Sequence, residues 1–145
     1  MAHLKELLGD PSAKKNVIDD CLQLIDAELK DKGLAGIPLK AGYAVVNGVK
    51  PTFVRDALDH LLPDFSDKLD PIYQEAIASG KDVAPFFTEQ KARIAEALLE
   101  ITDARAKKSR HTTVVKAYDK LRGTGKGHVE AAVPRLGKLV EKYHR

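Results

Sequence analysis

Apolar residues recur along this chain every three to four positions, the period of an amphipathic helix, and no stretch sustains the alternation of a half-buried strand. The opening Met-Ala-His-Leu-Lys-Glu-Leu-Leu is already amphipathic, and Asp10-Pro11-Ser12 then supplies a capping residue and a proline suited to a first helical turn. Val17, Ile18, Cys21, Leu22, Ile25 and Leu29 follow at helical spacing, with Gly33 as the stop. The block from Leu34 to Val49 has a different character. Pro38 opens it, and Leu39, Tyr43, Ala44, Val45 and Val46 leave it apolar on nearly every side, as expected of a helix at the centre of a bundle. Gly36, Gly42 and Gly48 read as close packing contacts within it, and a strand over Tyr43 to Val46 is the alternative.

Pro51 predicts a short helix carrying Phe53, Val54, Ala57, Leu58, Leu61 and Leu62, with Pro63 beginning the next segment. From Asp64 the helical period continues to Ile77 through Asp70-Pro71, where the chain is expected to kink or to restart with Asp70 as cap, and Gly80 ends it. Asp82 and Pro85 open what the pattern predicts to be the longest amphipathic helix, reaching about Lys107, with Phe86, Phe87, Ile94, Leu98 and Ile101 inward. A helix over Thr112 to Leu121, a break at Gly123-Thr124-Gly125 and a last helix interrupted at Pro134 complete the chain. The expected fold is all-α: a single domain over residues 1–145, a bundle of about six to eight helices around a central apolar helix.

Composition agrees with that picture. With 145 residues, 43% hydrophobic, 31% charged and a net charge of +3, the chain has neither the charge nor the polarity of a disordered one. Trp is absent and aromatics are 6%, so the core must be mainly aliphatic. No run approaches the ~18 apolar residues of a membrane-spanning helix. The single cysteine, Cys21, has no partner in the chain and no charged-then-apolar leader precedes the first helix, which points to a cytoplasmic address and an inert thiol.

Charge is distributed unevenly. Twelve basic residues and three acids lie from Arg105 onward, against twelve basic and eighteen acidic residues before it, so a net −6 over the first 104 residues faces +9 over the last 41. Arg105, Lys107, Lys108, Arg110, Lys116, Lys120, Arg122 and Lys126 form a candidate surface for an anionic partner, because clustered cations gain by releasing counterions from nucleic acid or by meeting anionic headgroups. The alternative is that these cations lie against the acidic N-terminal helices and are neutralised there. No aromatic residues interleave the run as single-stranded nucleic acid would require, and no nucleic-acid-binding motif is present.

Sites of chemistry are sparse. Gly123-Thr124-Gly125-Lys126-Gly127-His128 lacks both the spacing and the preceding strand of a phosphate loop. His128-Val129-Glu130 has the first half of a zinc-deaminase signature without the two cysteines that complete it. His3, His60, His111 and His144 are scattered singly, and Asp56, Asp59, Asp64, Asp67 and Asp70 lack the alternation and glycine turn of a calcium loop. No catalytic residue, metal or cofactor is expected. Lys40 and Asn47 are polar intrusions in the most apolar block and, with Tyr43, mark a candidate region for an apolar ligand.

The segments Lys40-Ala41-Gly42-Tyr43-Ala44-Val45-Val46, Val49-Lys50-Pro51-Thr52-Phe53-Val54 and Ala131-Ala132-Val133-Pro134-Arg135-Leu136 together resemble a bacterial family of small proteins of unknown function, over most of the chain. The resemblance implies a compact protein and carries no activity. The leading functional expectation is a non-enzymatic helical module that binds a macromolecule: a protein, a nucleic acid or an anionic membrane surface. A lipid or apolar-ligand binder with a cavity between helices is the runner-up, an enzyme without a recognisable motif the third reading, and self-association is open.

Overall fold

The computed structural model describes residues 3–144, the side chains of residues 34 and 35 apart. Met1 and Ala2, at the head of the predicted first helix, and Arg145 lie outside the described residues. Seven α-helices and no strand occur among those described: α1 (Leu4–Gly9), α2 (Lys14–Asp31), α3 (Ile37–Val49), α4 (Phe53–Ala78), α5 (Val83–Glu89), α6 (Lys91–Lys108) and α7 (Thr112–Tyr143). One 3₁₀ turn, Gly33–Gly36, joins α2 to α3.

α7 is the spine of the bundle. Helices α5 and α6 pack along it, α3 lies against its first half, and α1 rests on α4. The two shortest helices could not persist alone, and each is capped by a longer neighbour. Asp70 of α4 accepts the Leu4 backbone N–H at 2.9 Å, and Glu141 of α7 accepts that of Ala84 at 2.9 Å. Asp70 thus caps α1 and not a restarted helix of its own, while His3 closes on the same carboxylate at 2.7 Å.

At four positions where a break or a restart was among the expectations, the helix continues. α4 runs unbroken through Pro63 and Pro71, and α7 through Pro134 and through the run Gly123 to Gly127. Each proline frees the carbonyl four residues back, and for Pro63 and Pro71 that carbonyl belongs to Asp59 or Asp67, both exposed where water can reach. The segment 123–127 stays helical because its surroundings hold it: Arg122 and Lys126 pair with Asp103 and Glu96 of α6, and Gly125 lies against Leu99. Conversely, the long helix predicted from Asp82 is two. Gln90 breaks it, its N–H bonding back to the carbonyls of Phe86 and Phe87, with no glycine or proline to announce the break.

The core occupies one end of the bundle. Leu4, Leu8, Val17, Leu69, Ile72, Tyr73, Phe87, Ile94, Val133 and Val140 are buried there, drawn from α1, α2, α5, the later part of α4, the start of α6 and the end of α7. Each large apolar side chain so buried contributes roughly 1.5–3 kcal/mol. At the other end, residues 37–61 and 102–132 contain no buried residue. The apolar α3 belongs to that end. It is peripheral, not central: none of its residues is buried, and Ile37, Val45 and Val49 are 54%, 42% and 41% exposed. Its inner face meets α7, with Leu121 filling the space where a Gly42 side chain would stand, and its outer face has no helix of the bundle left to cover it.

Candidate ligand-binding site

At this loosely packed end a cavity of about 530 Å³ opens between the first half of α4, the last turns of α6 and the first turns of α7. Phe53, Ala57 and Leu61 recur every four residues on α4 and form one wall, while Ala106 of α6 and Val114 and Val115 of α7 form the others. Such a stripe normally seals a core. Here the stripe is only half-buried, and the three-residue α6–α7 connection, 109–111, contributes Ser109 and His111 to the lining of the opening.

One end of the cavity is polar and internally satisfied. The Tyr118 hydroxyl donates to the Asp103 carboxylate and accepts from Thr102 at 2.7 Å. Arg122 grips the same carboxylate with two N–H groups, at 2.8 and 3.1 Å. The Arg122 guanidinium, with the Tyr118 hydroxyl, holds the Asp103 carboxyl below its ordinary range. Burial, followed by the adjoining carboxylate, pushes the Tyr118 phenol up to about 12. At physiological pH this group is therefore a charged pair bridged by a neutral phenol, with its hydrogen-bonding capacity turned inward.

The other end is ringed by cations. Lys50, Arg105, Lys108 and His111 line it, and the His111 ring stands edge-on to Phe53 with centroids 5.7 Å apart, while His60 lines the wall two turns further along α4, beside Leu61. Asp56 is the one acid in the lining. It is neutralised: Lys50 lies 2.7 Å from it, and Lys50 and the Thr52 hydroxyl keep its carboxyl below the usual range.

The eight cations singled out in the sequence do not share one surface. Arg105 and Lys108 enter the cavity lining. Arg122 and Lys126 are in ion pairs with α6. Lys107, Arg110, Lys116 and Lys120 are exposed and make no ion pair among the described residues, and the helical period turns Lys116 and Lys120 away from the cavity-facing Val114, Val115 and Tyr118. Further along α7, Arg135 pairs with Glu28 and Asp31, and Lys142 with Asp20 at 2.8 Å, so part of the basic segment does lie against the acidic N-terminal half.

Tyr43 and Asn47 line a second, smaller cleft of about 390 Å³ between α2, α3 and the start of α4, where Gln23, Asp26 and Arg55 make the walls polar. Lys40 is exposed and lies outside that lining. Phe53, His60, Thr102, His111 and Tyr118 went unrecognised as site residues; their apolar neighbours look like core in sequence, and only the missing cover distinguishes them. Burial, with Asp20 beside it, pushes the Cys21 thiol up to about 11, away from nucleophilic reactivity. No three His, Cys, Asp or Glu side chains among the described residues are grouped to hold a metal ion, and no helix there is long and apolar enough to cross a membrane.

No curated protein and no solved structure matches the chain. Residues 4–144 match a family of unknown function (DUF6918), and the chain belongs to that family.

Proposed function

We propose that this protein is a non-enzymatic binding protein for an apolar small molecule, held in the cavity between α4, α6 and α7. The observation that carries the reading is an apolar-walled space of about 530 Å³ at the end of the bundle that lacks buried side chains. Ligand pockets commonly fall within about 300–1,000 Å³, with apolar walls and few polar groups. Ligand sites are also drawn from the less stable parts of a fold, where opening is cheap. We prefer this reading to a polyanion-binding face because the cations of the basic segment divide among the cavity, ion pairs with α6, the exposed end of α6 with its connection to α7, and the far side of α7.

Filling the cavity tests it. Ala106→Trp, and independently Ala57→Trp, put an indole into the apolar walls, and circular dichroism verifies that each variant folds. Nile red, an uncharged dye that fluoresces in apolar surroundings, is expected to bind the wild type saturably and either variant at least about tenfold more weakly. Equal binding by folded variants and wild type, or no saturable binding by the wild type, contradicts the reading.

A further inference from the structure

The polar groups around the cavity specify more than an apolar guest, and the argument rests on the reading just given. We infer that the ligand is a single-chain amphiphile with an anionic head group, its tail against Ala57, Leu61 and Val115 and its head held by Arg105 and Lys108. Four features of the lining combine.

Arg105 and Lys108 are three residues apart on α6, so their side chains leave the same side of the helix. Neither makes a hydrogen bond or an ion pair among the described residues, which leaves two uncompensated cations beside an apolar wall. The one acid in the lining, Asp56, is already bound by Lys50 and Thr52 and adds no free negative charge to oppose an anion. At the opposite end, Thr102, Tyr118, Asp103 and Arg122 satisfy one another and offer no unmet charge. Among the described residues that line the cavity, the unpaired charge of Arg105 and Lys108 therefore lies toward the α6–α7 turn. The start of α7, which has no side-chain cap and no acid in its first turn, meets the same rim beside the end of α6, whose charged residues in the last turn are all basic.

Length is consistent with this polarity. From Thr102 to Ser109 the lining runs seven residues along α6, or about 10 Å at helical rise. A folded or partly protruding alkyl chain fits that length with its head at the cationic end.

Displacement of bound Nile red by twelve-carbon amphiphiles, used below their micelle concentrations, tests the inference. The set is dodecanoate, dodecyl phosphate, dodecanol and dodecyltrimethylammonium, with acetate and inorganic phosphate as tail-less controls. The expected result is that dodecanoate or dodecyl phosphate displaces the dye at least about tenfold more tightly than dodecanol, and the better of the two identifies the head as carboxylate or phosphate. That preference should vanish in Arg105→Gln/Lys108→Gln, verified as folded by its thermal melt. It should persist in Lys116→Gln/Lys120→Gln, which removes the same charge from the far face of α7. Equal affinity for dodecanol and both anions in the wild type, or a preference that survives Arg105→Gln/Lys108→Gln, overturns the inference and leaves an apolar-ligand protein. Displacement by inorganic phosphate as effective as by dodecyl phosphate also overturns it, since the tail would then contribute nothing. Failure of every amphiphile, dodecanol included, overturns the underlying reading as well.

Discussion

Glycines show how little a residue's name says about its role before its neighbours are known. At Gly137 an added Cβ would meet the Ala84 Cα at 3.0 Å, the Ala84 carbonyl oxygen at 3.1 Å and the Phe87 Cβ at 3.2 Å, all parts of α5 that cannot turn aside. Gly137→Ala is therefore expected to prise α5 from α7 and destabilise the fold by about 1–3 kcal/mol, read as a lower midpoint in urea unfolding. An unchanged midpoint would mean that α5 is not seated as described. At Gly42 the obstacle is only the tip of the Leu121 side chain, which can rotate, and at Gly48 there is nothing within 4 Å. Reading all the glycines of the apolar block as packing contacts was right for Gly36 and Gly42 and wrong for Gly48. Gly33 and Gly80, by contrast, were legible as helix stops from their positions alone, and their φ of 55° and 66° is the left-handed backbone that glycine tolerates.

At the scale of elements, helix periodicity was readable throughout and helix ends only in part. The apolar repeats place helical structure correctly along the chain, but local propensity misplaces the boundaries wherever tertiary contacts outweigh it. α7 is the clearest case: three glycines within five residues predict a break, yet Arg122 just before them and Lys126 among them are tied to α6 and the helix continues. If so, those glycines cost stability without serving a turn. Gly123 and Gly127 have open space where a Cβ would go, so Gly123→Ala/Gly127→Ala should stabilise the protein by roughly 0.5–1 kcal/mol per site and raise its melting temperature. A lowered melting temperature would show that the segment needs its flexibility and that the continuous helix is not the stable state. The break at Gln90 errs the other way, for nothing in Thr88-Glu89-Gln90-Lys91 signals an end, and the two helices it separates each pack against α7.

Across the whole molecule the organising fact is the contrast between its two ends. One is packed with aliphatic and aromatic side chains, and the other, made of α3 and the first or last parts of α4, α6 and α7, holds an apolar cavity and an exposed apolar helix face. The all-α class was legible because it depends on a short-range period. The cavity was not, because Phe53, Ala57 and Leu61 have the same spacing as any core stripe, and what makes them a pocket is the absence of a covering helix. The charge asymmetry was legible as a fact of sequence, whereas its division among cavity rim, ion pairs and solvent depends on the α6–α7 packing. The central claim is that this cavity is where a ligand sits. Its most direct test is an amide chemical-shift titration of the full-length protein with dodecanol, whose uncharged head makes the result independent of the cationic rim. The account predicts saturable shifts concentrated at Phe53, Ala57, Leu61, Ala106, Val114 and Val115. Shifts centred instead on Tyr43 and Asn47, or scattered without saturation, would contradict it.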